Sequence, residues 1–335
     1  MSSSKCLEKV PGRPLLTSGS EAHRHESNAV ERRCPSSRRT DGALPTESLD
    51  QIGEADHVNV CGVVRQLRMD RVRRSHQRVN ILGVGVSAIT MAEALETIEQ
   101  WITHMERRYI CVRDVHGVMK SQRDDALRRI HNAAGLVTPD GMPLVWLSWL
   151  KGFRHVERVY GPDLMLACCQ FSITRGYRHF FYGGGEGVAE RLASRLKERF
   201  PGLAITGTFS PPFRPLEPDE DEEAVRYINQ ARPDIVWVGL GTPKQELWMR
   251  AHVGRLTAPV LVGVGAAFDF HAGVKPQAPR WIQRAGLEWL FRMLAEPRRL
   301  GPRYLLNNPW FVWEVFLQSI GVKKYDLPGG QPECS

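Results

Sequence analysis

Residues Asp234–Met249 read DIVWVGLGTPKQELWM. The first half is an apolar run with the length and β-branched content of a buried strand, and it ends in Gly239-Leu240-Gly241. Thr242 then stands where a helix cap belongs, with Pro243 at the first helical position and Glu246 in the first turn. Such a junction presents free backbone N–H groups at the carboxyl end of a strand, where α/β proteins bind anionic ligands. Lys244 and Gln245 add a cation and an amide to that turn. Gly239, Gly241, Thr242, Lys244 and Gln245 are therefore candidate contacts to a phosphorylated ligand.

Outward from this stretch, strands and helices alternate. VNILGVGVSAI, from Val79, reads as a strand pair, and Thr90 caps the amphipathic helix MAEALETIEQWITHM. The strand YICVRDVH precedes a helix predicted through Gly117–Asn132. AGLVTPDGMPLVWLSWL, a helical segment Gly161–Gly176, the strand HFFYGG, helix Val188–Phe200 and the strand LAITGTF follow. A Pro-rich linker leads to helix Asp221–Ala231, then to the opening stretch, helix Pro243–Val253 and the strand PVLVGVGAAF. This alternation predicts a Rossmann-like, mostly parallel sheet with helices on both faces over residues 76–274.

The flanks differ in composition. Residues 1–75 are rich in Ser, Arg, Glu and Pro and predict a disordered basic tail with one weak strand near Val58–Val64. Residues 275–325 alternate Arg280, Arg284, Arg292, Arg298, Arg299 and Arg303 with Trp281, Leu287, Trp289, Leu290 and Phe291. Basic helices with such faces suit a membrane interface, and equally a docking helix with solvated arginines. A second copy of the chain is the other candidate occupant of that apolar face. Residues 326–335 read as a flexible tail.

With 335 residues, 42% of them hydrophobic and 24% charged, the chain has the composition of a soluble globular protein. Its net charge of +8 favours anionic partners. No apolar run approaches a membrane span, and the amino terminus lacks a secretory apolar core, so residence in the cytoplasm is expected. The seven cysteines show no C-x-x-C spacing, which argues against a disulfide framework or zinc site, and Cys168 and Cys169 read as apolar filler.

Candidate chemistry outside the opening stretch falls on four features. Asp140, in VTPDGMPLVW, is placed at a helix start, whose dipole would keep it ionised and able to accept a proton; the plain alternative is an N-cap. Arg158, in ERVYGPDLM, is a phosphate clamp or the partner of a structural carboxylate, just before a cap at Asp163. Gly183 and Gly184, in HFFYGGGEGVAERL, suit a phosphate or ribose contact or a plain tight turn. The third glycine of a dinucleotide fingerprint is replaced by Val188, and LAITGTF ends without a ribose-binding acid, so a nicotinamide oxidoreductase is disfavoured. Asp269 is placed at the end of the GVGAAFDFHAG strand, lining the pocket or capping a turn. The one D-x-D pattern, Asp219-Glu220-Asp221, lies in a solvated acidic run, and His116 and His271 lack metal-site spacing, so no metal or cofactor is assigned. A basic nucleic-acid-binding protein is the non-enzyme alternative, but no helix-turn-helix, zinc or RNA-binding signature supports it.

PDGMPLVW, ERVYGPDL, FFYGGGEGVAERL, DIVWVGLGTPKQELWM and GVGAAFDFHAG…APRWIQRAGLEWLFRMLAEPRRL, in this order, resemble the WecG/TagA/CpsF family of bacterial glycosyltransferases (glycosyltransferase family 26) between about Val79 and Leu305. The resemblance implies an inverting, metal-independent transfer of an N-acetylmannosamine-type sugar or related hexose. The donor would be a UDP-sugar and the acceptor a polyprenyl-diphosphate-linked sugar, at the inner face of the cell membrane. It implies Asp140 as catalytic base, Arg158 near the diphosphate, Gln245 at the nucleotide-sugar pocket and a membrane-targeting C-terminal segment whose arginines, such as Arg298 and Arg303, complete the site. The family often shows T-P-N-x-H before its first long helix, where this chain has Val112-Arg113-Asp114-Val115-His116. Losing the hydroxyl and turning the amide into a carboxylate makes Asp114 a substrate contact to weigh, and a rival for the base.

Overall fold

A computed structural model describes residues 77–327. The predictions for residues 1–76, including the weak strand and the basic tail, and for 328–335 lie outside the described residues. A hairpin opens the fold: β1 (Arg78–Ile81) pairs antiparallel with β2 (Val84–Ser87). Thr90 then caps α1 (Met91–Thr103) through a capping box. Its hydroxyl accepts from the Glu93 N–H at 3.2 Å, and the Glu93 carboxylate accepts from the Thr90 N–H at 2.8 Å.

Among the described residues, six strands build the main sheet: β3 (Arg108–Arg113), β4 (Leu136–Pro139), β5 (Arg178–Gly183), β6 (Ala204–Phe209), β7 (Ile235–Gly239) and β8 (Val260–Gly263). They lie in the order β4-β3-β8-β7-β5-β6, and every neighbouring pair is parallel. The predicted α/β architecture is therefore present. The two middle strands, β8 and β7, are covered on both faces and apolar throughout, and Val236, Trp237 and Val238 of β7 are fully buried. One face packs against α1, α5 (Gly161–Ile173), α6 (Val188–Arg199) and the short α9 (Ala267–His271) around Ile98, Leu164, Leu192 and Phe268. The other packs against the hairpin, α2 (Val115–Ser121), α4 (Met142–Leu150), α7 (Pro218–Gln230) and α8 (Lys244–His252) around Val118, Leu144, Ile228 and Met249. Parallel pairing brings the carboxyl ends of all six strands to one edge.

Three local expectations change. The helix predicted over 117–132 is two helices, α2 and α3 (Asp125–Ala133), because Asp124 accepts from the Leu127 N–H at 3.0 Å and starts a new one. α7 begins at Pro218, three residues earlier than predicted, with Glu217 and Glu220 forming its own capping box. The strand PVLVGVGAAF stops at Gly263, so Asp269 lies within α9 and not at a strand end.

The C-terminal segment packs into this body. α10 (Arg280–Arg284), α11 (Glu288–Ala295) and the long α12 (Pro297–Ser319) run back across the strand ends. Gln318 anchors the far end of α12 to the hairpin, accepting from the Leu82 N–H at 3.1 Å and donating to the Asn80 carbonyl at 3.2 Å. Leu300, Tyr304 and Phe311 are buried.

Candidate active site

A cleft of about 960 Å³ opens at the carboxyl edge of the sheet. It is lined by Asp114 and Asp140 on one side and Gly184, Gly239, Gly241, Thr242, Lys244 and Gln245 on the other. Arg292, Arg299 and Arg303 reach it from the C-terminal segment.

Asp140 follows β4, its N–H donating to the Arg113 carbonyl at 2.8 Å. It does not cap the helix that follows. Gly141 occupies the cap position of α4, and Asp140 Oδ1 instead accepts from the Gly161 N–H at 3.1 Å, at the start of α5. The expected fully ionised state is also corrected. Burial lifts the Asp140 carboxyl to about 7 despite Arg158 nearby, and Glu288 and Asp114 push the same way. A helix dipole is a modest local effect, whereas desolvation within the cleft is a large one.

Asp114 is different. It caps α2, accepting from the Gly117 N–H at 2.8 Å, and pairs with Arg303 Nη2 at 3.0 Å. Burial alone would raise its carboxyl, but Arg303, His116, the Gly117 N–H and Arg113 outweigh that and bring it down to about 2. His116, which meets Asn307 at 3.2 Å, is lowered to about 4, chiefly by burial. Two carboxyl groups lining one cleft thus have proton affinities driven far apart, the pattern that separates a proton acceptor from a fixed charge. Asp114 is tied to Arg303 and the Gly117 N–H, whereas the carboxyl that lies near neutrality is that of Asp140.

Across the cleft the glycines divide by role. Gly183 does not line it: a Cβ there would lie 2.8 Å from the Gly239 carbonyl carbon, and φ is +117°. Its lack of a side chain lets β5 and β7 approach, and the next residue, Gly184, donates to the Gly239 carbonyl at 3.0 Å. Gly184 and Gly185 face the cleft. Thr242 does not cap α8, which starts at Lys244 with Pro243 in the cap position. The Thr242 hydroxyl turns inward and donates to Glu246 Oε1 at 3.3 Å. The Gly241 N–H is not free either, since it donates to Gln245 Oε1 at 3.2 Å. Gln245 in turn donates to Glu246 Oε1 at 2.8 Å, and Glu246 forms a fully buried ion pair with Arg113. Arg113 Nη1 meets His131 at 3.1 Å, and His131 meets the Ser121 hydroxyl at 2.7 Å. Lys244 is exposed on the cleft wall.

The arginines sort by helical phase. Arg299 and Arg303, four residues apart, share the face of α12 turned to the cleft, while Arg298 is exposed and off it. Arg158 does not line the cleft. Its guanidinium donates to Glu288 at 2.5 Å and to the Asp140 carbonyl and lies 4.0 Å over the Tyr160 ring, so its pairing with a structural carboxylate is realised. Asp163 lies inside the first turn of α5 and pairs with Arg280 at 2.6 Å. Asp269 lines the cleft with its carboxylate 3.1 Å from Lys275. The acidic run is engaged in ion pairs, Glu220 with Arg214 and Asp221 with Arg255. His271 meets the Pro162 carbonyl at 2.9 Å. Sequence reading misses Arg292, Arg299 and Glu288 as site elements and the Arg113–Glu246 pair; the i, i+4 spacing of Arg299 and Arg303 is the available signal for the cleft-facing side.

The family model described as "Glycosyl transferase WecG/TagA/CpsF family" matches residues 79–325. Similar curated proteins include N-acetylglucosaminyldiphosphoundecaprenol N-acetyl-beta-D-mannosaminyltransferases from Staphylococcus aureus strains NCTC 8325 / PS 47, COL and MSSA476. Each is 27% identical over 254 residues, covering 75% of this chain and 97% of the relative.

Proposed function

The chain belongs to the WecG/TagA/CpsF glycosyl transferase family and is a glycosyltransferase, and on that premise we propose that it moves an N-acetylmannosamine-type sugar from a UDP donor to a polyprenyl-diphosphate-linked sugar, with inversion. One observation carries the reading: a single cleft joins a carboxyl group of near-neutral proton affinity to a glycine turn and three arginines. Asp140 accepts the proton of the acceptor hydroxyl as that oxygen attacks the anomeric carbon. The bond to the leaving UDP breaks on the opposite face. Arg292, Arg299, Arg303 and Lys244 take up its diphosphate charge, aided by the positive end of the α8 dipole. Gln245, tied to the Gly241 N–H, keeps the turn open to the nucleotide.

The acceptor class follows the names of the S. aureus relatives, which place their reaction on a lipid-borne N-acetylglucosamine. A donor screen tests the assignment. UDP-N-acetylmannosamine is expected to release UDP only when a short polyprenyl-diphosphate-N-acetylglucosamine is present. Equal release from every UDP-hexosamine without acceptor, or from none with it, would refute the assignment.

We further propose peripheral attachment at the inner membrane face. Among the described residues no helix is long and apolar enough to cross a membrane. Yet Leu305, Leu306, Trp310, Val312, Trp313 and Phe316 of α12 are exposed, beside exposed arginines on α10 and α12. Removing the whole segment would also remove Arg303 and Glu288 from the site, so point changes are the cleaner probe. Trp310→Glu with Trp313→Glu is expected to abolish sedimentation with anionic vesicles while UDP binding persists. Unchanged sedimentation would exclude this face as the membrane contact. If the wild-type chain instead forms a dimer that the same pair of substitutions splits, the face is a subunit interface.

A further inference from the structure

One carboxylate from the C-terminal segment holds Arg158, which touches Asp140, and Tyr160, whose chain neighbour Gly161 does. Glu288 opens α11, far along the chain from β4, and its side chain is only 11% exposed. Its Oε2 accepts from Arg158 Nη2 at 2.5 Å, and its Oε1 accepts from the Tyr160 hydroxyl at 2.7 Å. Those partners flank the candidate base from two directions. Arg158 Nε donates to the Asp140 main-chain carbonyl, fixing the backbone. Tyr160 is the cap residue of α5, and the N–H of the next residue, Gly161, donates to Asp140 Oδ1 at 3.1 Å, fixing the carboxylate. The Arg158 guanidinium also lies 4.0 Å over the Tyr160 ring, so the two arms of the clamp stack on each other.

We propose that Glu288 is a positioning residue for the transfer reaction, acting through Arg158 and Tyr160 to hold Asp140 in place and to set its charge state. It touches no substrate, so its effect passes entirely through this clamp. The inference rests on the reading of Asp140 as base. Every charged group facing Asp140 enters its balance. Arg158 favours the ionised carboxylate, whereas Glu288 and Asp114 disfavour it; Arg303 faces Asp114, and Arg292 faces both Asp114 and Glu288. Removing the Glu288 charge takes away one opposing charge and leaves the Arg158 charge uncompensated. Both changes lower the proton affinity of Asp140.

The experiment compares Glu288→Gln, Tyr160→Phe and Asp140→Asn with the wild-type full chain in UDP release across pH 5 to 9. Glu288→Gln is expected to move the acidic limb of kcat/KM to lower pH by roughly half a unit to one unit, and to lower kcat about tenfold with KM nearly unchanged. Tyr160→Phe keeps the charge and loses one arm, so kcat falls while the limb stays in place. A simple packing defect would lower activity at every pH without moving the limb. A folded Glu288→Gln enzyme with the wild-type limb overturns the proposal. If Glu288→Gln does not fold, an unchanged kcat in Tyr160→Phe overturns it instead, as does a reduced kcat accompanied by a lowered melting temperature or a raised KM; a reduced kcat with both at their wild-type values supports it. Asp140→Asn separates the two claims. Full activity there removes the base itself, whereas an inactive Asp140→Asn beside an unshifted Glu288→Gln removes only the clamp.

Discussion

Asp140→Ala is expected to lower turnover by roughly 10²–10⁴-fold, the usual contribution of a general base, while the KM for the UDP-sugar changes by no more than about twofold. The asymmetry follows from geometry. Asp140 lies on the β4 side of the cleft, whereas the turn at Gly239–Gln245 belongs to β7 and α8, so donor binding does not depend on its carboxylate. Asparagine at the same position keeps the shape and an acceptor for the Gly161 N–H, but it cannot take a proton. Asp140→Asn should therefore be as inactive as the alanine variant. Because the carboxyl sits at about 7, wild-type activity should rise through an acidic limb near neutral pH as the base ionises. Retention of wild-type UDP release by either variant would remove Asp140 from the mechanism.

The same group makes a prediction about stability with the opposite sense. Its folded-state value is raised from 3.8 to about 7, so the folded chain holds that proton more tightly than the unfolded chain does. The stabilising contribution of the protonated form is complete below about 4 and is lost as pH rises through 7. Asp140→Asn, permanently neutral, should melt higher than wild type at pH 8, and the gap should close as pH falls toward 4. An Asn variant less stable than wild type at pH 8 would mean that the buried charge is not opposed by its surroundings.

What could be read from the chain alone is what local chemistry determines. DIVWVG announces a buried strand through its apolar run, and Thr90 with Glu93 announces a helix start three residues apart. The misreadings share a cause. Thr242 has the chemistry of a cap, but a buried carboxylate four residues on claims its hydroxyl. That carboxylate is held by Arg113, 133 residues away, and no local pattern links them. For Arg158 the sequence leaves a phosphate clamp and a structural carboxylate both open, because the partner that decides between them, Glu288, lies 130 residues later. The helix start beside Asp140 suggests an ionised carboxylate, but desolvation within a cleft lined by distant segments decides its state. Gly183 and Gly184 are alike in sequence, yet one touches backbone and the other faces the cleft, a distinction made only when β5 meets β7. Candidate residues were thus legible by type and strand end, and their roles were set by tertiary neighbours.

Breaking the Arg113–Glu246 pair should have the largest effect on stability. Both side chains are essentially inaccessible, at 1% and 0% exposure, so removing one partner strands a charge that water cannot reach. Glu246→Ala is expected to cost about 3–5 kcal/mol and to lower the melting temperature by roughly 10 °C. Glu246 Oε1 also collects Gln245 and Thr242, and Gln245 in turn holds the Gly241 N–H. Loosening this chain should therefore weaken UDP binding, although Glu246 does not line the cleft. Replacing both partners by apolar residues of similar size, Arg113→Met with Glu246→Leu, removes the stranded charge. That double variant should melt above Glu246→Ala while its UDP affinity stays impaired, because no acceptor remains for Gln245. Separation of the two readouts is the informative result, since packing would respond to lost charge and the glycine turn to lost hydrogen bonds. A Glu246→Ala protein melting within about 2 °C of wild type would show that the interior tolerates an unpaired Arg113 through water or rearrangement, against the usual penalty for a stranded buried charge.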